Sequence, residues 1–107
     1  MATVYLGRDN RIRLQLMQDG AVVSPNIVTR AALHVPGDAF ATGVGVTYDT
    51  DGPMLGLSDS NTVVVAQLGA APIKPGKYTC YLTIYDMDSV GGLAWSEVEV
   101  SVKWWEI

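Results

Sequence analysis

The feature that most restricts this chain is the strict two-residue alternation of KYTCYLTIYD, residues 77–86. Tyr78, Cys80, Leu82 and Ile84 fall on one side, and Lys77, Thr79, Tyr81, Thr83 and Tyr85 on the other. Successive side chains of an extended strand point to opposite faces, so this pattern describes a half-buried strand. The same period returns in residues 11–16, where Ile12, Leu14 and Leu16 alternate with Arg11, Arg13 and Gln15. It returns again in residues 93–104, where Val98, Val100, Val102 and Trp104 alternate with Glu97, Glu99, Ser101 and Lys103. That register predicts Trp104 in the core and Trp105 pointing outward.

Between these runs the chain is punctuated by turn formers. Asp19-Gly20 separates two apolar runs, and both central residues of such a hairpin turn favour positive φ. Residues 27–35 form a further extended candidate, with Ala31, Leu33 and Val35 in alternation, ended by Pro36-Gly37-Asp38. A Gly-interrupted strand is expected over 42–48, where Gly43 and Gly45 imply a bulge or close cover. Residues 54–57 pair briefly, and NTVVVAQL (61–68) reads as a more deeply buried strand because of its β-branched residues. No segment carries a capped helical stripe. About seven to eight short strands in 107 residues predict one all-β domain over 1–107. The expected architecture is an antiparallel two-sheet sandwich, with a small β-barrel as its competitor.

Composition narrows the function. Hydrophobic residues make up 49% and charged residues 17%, which suits a packed core rather than a disordered tail. The net charge is -4, and the seven basic residues are scattered, so no nucleic-acid partner is expected. No apolar run approaches the roughly 18 residues needed to cross a bilayer, and no membrane partner is expected. The start, MATVYLGRDN, lacks a basic segment followed by an apolar one, so the expectation is a chain without a secretory leader. A single cysteine excludes an intrachain disulfide and fits folding in a reducing cytoplasm.

Candidate chemistry is sparse. The one histidine, His34, has no Gly-x-Ser-x-Gly elbow to serve and too few companions for a zinc site, and reads as a strand-surface residue. No phosphate-binding glycine loop occurs. Two turns read Tyr-Asp-x-Asp, at Tyr48-Asp49-Thr50-Asp51 and Tyr85-Asp86-Met87-Asp88. Such aspartates can begin a calcium loop, but neither stretch continues with the remaining ligands. Aspartates accepting from backbone amides two residues on are the plainer reading. No catalytic residue, metal ligand or cofactor is expected, and the chain reads as a non-enzyme. Aromatic residues carry the remaining interest. Trp105 and Ile107 at the chain end, with Tyr81 and Tyr85 on the polar face of the long strand, are the candidate interface residues.

Together, IRLQLMQDGAVV, the Pro-Gly-Lys-Tyr strand ending in TIYD, and LAWSEVEVSV resemble the small immunoglobulin-like domains of tailed-bacteriophage virion proteins. The resemblance covers nearly the whole chain. It departs from antibody-type domains in having no second cysteine and no early tryptophan. Tyr78, two residues before Cys80, has the spacing of a tyrosine corner, in which the hydroxyl bonds back to upstream backbone. The resemblance implies a structural protein of the virion, folded in the host cytoplasm. It would act as a capsid decoration or neck or tail component through contacts with other virion proteins and copies of itself. A carbohydrate- or receptor-binding module at a fibre or particle surface, using Tyr85 beside Asp86 and Asp88, is the alternative.

Overall fold

The structure is a computed structural model that describes residues 2–105. It is all-β, with one short 3-10 turn at Gly37–Ala39. The strands are β1 (Ala2–Leu6), β2 (Ile12–Gln15), β3 (Met17–Gln18), β4 (Ala21–Val22) and β5 (Val28–Val35). They continue as β6 (Val46–Asp49), β7 (Leu55–Ser58), β8 (Val63–Ala66), β9 (Gly76–Asp86) and β10 (Leu93–Trp104). A five-stranded sheet has the order β1-β10-β9-β5-β6, and a three-stranded sheet the order β2-β8-β7. β3 and β4 form a separate two-stranded ribbon.

The alternation of β9 is realised as expected: Cys80, Leu82 and Ile84 are buried, and Tyr81 opposite them is exposed. Val4 and Leu6 of β1, Leu33 and Val35 of β5, and Val100 and Val102 of β10 face the same interior. There they form one cluster with Leu55 of β7 and with Val64 and Ala66 of β8. Leu16, just past β2, and Leu68 and Ile73 of the loop before β9 also belong to it. No disulfide joins the two sheets: Cys80 is 1% exposed and unpaired. Burial pushes its thiol up to about 11, so it sits in the core as a small neutral hydrophobe.

Turn chemistry follows the sequence closely. Asp19 and Gly20 both take positive φ, 53° and 81°, and close the β3–β4 hairpin. Between β7 and β8, Asp59, Ser60 and Asn61 all have positive φ. This loop is held from outside, because Asn26 N–H donates to the Ser60 carbonyl and Asn61 Nδ2 to that of Val28. Arg13 also pairs with the Asp59 carboxylate at 2.6 Å.

The structure departs from the sequence pattern, or adds to it, at three places. The chain opens with β1, which the sequence reading passed over; it pairs with β10 in parallel, Ala2 against Val100 through Leu6 against Trp104. The strand expected over 42–48 begins only at Val46, and Val44 is exposed. Gly45 there lies so close to the His34 ring that a Cβ would stand 2.8 Å from Nε2. Third, Trp104 is not in the core: it is 53% exposed. Val102 is the last residue of that face to be covered, and β10 continues past the layer that covers it.

Candidate interaction surface

The parallel pairing of β1 with the end of β10 creates an aromatic terminus. Tyr5 lies opposite Lys103, and its ring meets Trp105 edge-to-face with centroids 5.0 Å apart. Lys103 Nζ sits 5.3 Å from the same ring's centroid. Trp105 is 55% exposed, so together with Trp104 this end presents two open indoles. Beside them the chain leaves β1 at Gly7 (φ 83°) and turns back through Arg8, Asp9 and Asn10. Asn10 Nδ2 ties this turn down by donating to the Tyr5 and Arg8 carbonyls, both at 2.9 Å. Its Oδ1 is buried without a partner. Tyr5, Arg8, Asp9, Asn10 and Trp105 line an open cleft of about 350 Å³.

The other candidates lie elsewhere. Tyr81 stands near the middle of the outer face, opposite His34 on one side and Glu97 on the other, and is 49% exposed. Tyr85 lies toward the far end of β9. From Gly76, which pairs with Val102 near the aromatic terminus, to Tyr85 is roughly 30 Å of strand. Trp105, Tyr81 and Tyr85 therefore do not form one patch, and Ile107 lies outside the described residues. Tyr85 is also covered. The Arg30 guanidinium stacks 3.9 Å from its ring centroid, with Arg30 Nε 3.2 Å from the Asp49 carboxylate.

Both Tyr-Asp-x-Asp segments are Asx turns. Asp49 Oδ1 accepts from the Asp51 amide at 3.1 Å, and Asp86 Oδ1 from the Asp88 amide at 3.0 Å. Among the described residues, no group of three His, Cys, Asp or Glu side chains is placed to hold a metal ion. His34 Nδ1 hydrogen-bonds the Thr47 hydroxyl at 2.9 Å on the exposed face. The Tyr78 hydroxyl donates to the Lys74 carbonyl at 2.8 Å and lies 3.3 Å from that of Pro75, which closes the loop into β9.

Neither Tyr5 nor the Arg8–Asn10 turn is singled out by the sequence pattern. The available signal was the alternation of Val4 and Leu6 around Tyr5. Comparison with known proteins finds no matching family model, curated protein or solved structure.

Proposed function

We propose that the chain is an immunoglobulin-like β-sandwich serving as a non-enzymatic structural component of a tailed-phage virion, acting through protein–protein contacts. The strand orders support the fold assignment. β10-β9-β5-β6 corresponds to the G, F, C and C′ strands of such a sandwich and β2-β8-β7 to B, E and D. The Tyr78 hydroxyl, bonded to upstream backbone at the start of β9, fits the tyrosine corner of strand F.

The observation that carries the functional reading is the aromatic terminus. Trp104 and Trp105 are both more than half exposed. Large aromatic rings with little conformational freedom are the residues that dominate protein interfaces once desolvated. Trp105 is the first anchor, and Tyr81 supplies a second, separate contact on the outer face. Tyr85 is a weaker contact than Tyr81, because Arg30 already occupies its ring.

Two measurements test this reading. Mass spectrometry of purified particles should detect the chain, and its absence from them would overturn the virion assignment. Trp105→Ala should weaken incorporation into particles by tenfold or more while leaving the urea midpoint of the isolated protein nearly unchanged. A parallel loss of both would make Trp105 a structural residue. A glycan-binding role has its best foothold in the cleft beside Trp105, where Asp9 and Asn10 adjoin the aromatic wall; binding on a glycan array that Trp105→Ala abolishes would favour it instead.

A further inference from the structure

β10 is paired along only part of one edge. β9 lines its other side from Leu93 to Val102, with a bulge between Ala94 and Ser96, whereas β1 covers only Val100–Trp104. Among the described residues, no strand pairs with the second edge of Leu93–Glu99. That open stretch is about 23 Å long. Across a gap from it runs β2, the edge strand of the smaller sheet, which is paired only with β8. Between the two lies a cleft of about 380 Å³, lined by Leu14, Leu16, Leu82, Trp95 and Val98 and, at its polar side, by Glu97, Glu99, Gln15 and Arg13, the last already paired with Asp59. A free backbone edge above a trough with an apolar floor and a polar rim is an arrangement that can capture an extended peptide as an added strand.

The charges on the edge decide what enters. Glu97 and Glu99 lie on the outer face, where Glu99 accepts from the Thr79 hydroxyl at 2.8 Å. No cation pairs with either glutamate among the described residues. In a two-fold antiparallel pair of this edge with its own copy, centred on Glu97 or Val98, glutamates fall opposite glutamates. Like charges directly opposite each other destabilise a strand pair. The same glutamates favour a strand that carries lysine or arginine at those outward positions.

We propose that the open edge of β10 binds an extended segment of another polypeptide. The segment alternates apolar residues, which enter the trough beside Ser96 and Val98, with basic residues, which lie beside Glu97 and Glu99. It continues the line of β1 and joins the five-stranded sheet as an additional strand. This surface is separate from the aromatic terminus, and the inference stands whether or not the virion reading does.

The test uses the whole protein, labelled for NMR, and two capped heptapeptides that alternate valine with lysine or valine with glutamate. The lysine peptide should shift and protect amides of Leu93–Glu99, with smaller shifts in Ile12–Gln15. The glutamate peptide should bind at least tenfold more weakly. The double variant Glu97→Lys/Glu99→Lys, both surface positions that spare the core, should reverse that preference. Equal binding of the two peptides, or shifts confined to other edges, would overturn the proposal. So would the free protein being a dimer paired through Leu93–Glu99.

Discussion

The loop into β9 offers a prediction whose size can be worked from geometry. Tyr78 reaches back to the Lys74 carbonyl at 2.8 Å, and its ring lies over Gly76. Gly76 has φ 154°, and a Cβ there would stand 2.8 Å from the Tyr78 hydroxyl oxygen and 3.1 Å from Cζ. Tyr78→Phe removes a neutral hydrogen bond at a solvent-accessible site, where water can replace it, so the cost is about 1 kcal/mol. Gly76→Ala adds backbone strain and a collision with the hydroxyl, together about 2 kcal/mol. In the double variant the nearest of these contacts is gone, and the ring, freed from its bond to Lys74, can move aside. The two changes should therefore couple favourably, with the double variant less destabilised than the sum by about 0.5–1 kcal/mol. Urea unfolding of the four proteins measures this through midpoint shifts at constant m-value, about half a molar for Tyr78→Phe. Additivity within about 0.3 kcal/mol would refute the steric argument. A Tyr78→Phe protein as stable as the parent would refute the Tyr78–Lys74 hydrogen bond as a stabilising contact.

Two further outcomes rest on the interior and on the outer face. The Cys80 thiol, raised to about 11 by burial, is neutral in the folded protein, whereas the unfolded chain ionises near the ordinary value of about 8.5–9. The unfolded state thus holds fewer protons above that point, and stability should fall as pH rises from about 9 to 11. Cys80→Ala should remove that part of the slope, as followed by urea midpoints across the range; an unchanged slope would exclude the thiol as its source. At neutral pH a thiol reagent should modify Cys80 only as fast as the protein opens, and rapid modification of the native state would place the thiol at the surface. Arg30→Gln should uncover Tyr85 by removing the cation–π contact; a rise in the accessibility of Tyr85 to nitration reports the uncovering, and unchanged reactivity would mean that the stack is not populated in solution.

What was legible in the sequence follows from how local each signal is. The alternation of β9 and β10 and the Asp19-Gly20 turn are written in consecutive residues, and the structure reproduces them. The two Asx turns are equally local, with acceptor and donor two residues apart. β1 escaped notice because its partner is the far end of the chain: a parallel pairing between Ala2 and Val100 leaves no turn between its strands to mark it. Trp104 was misplaced for a related reason. Period-2 alternation fixes the side on which a residue lies, but not where the covering layer stops, and beyond Val102 the cover thins enough to leave Trp104 53% exposed. The stack of Arg30 on Tyr85 joins different strands and has no signature in either alone. Each miss is thus a relation between distant segments, and both candidate surfaces arise from one such relation. Where β1 pairs with β10, Tyr5 is brought against Trp105; before Val100, no strand among the described residues pairs with that edge of β10. The N-terminal strand therefore sets the boundary between the two surfaces. Moving its register along β10 would close the edge and dismantle the aromatic pair together, which no reading of either segment by itself would reveal.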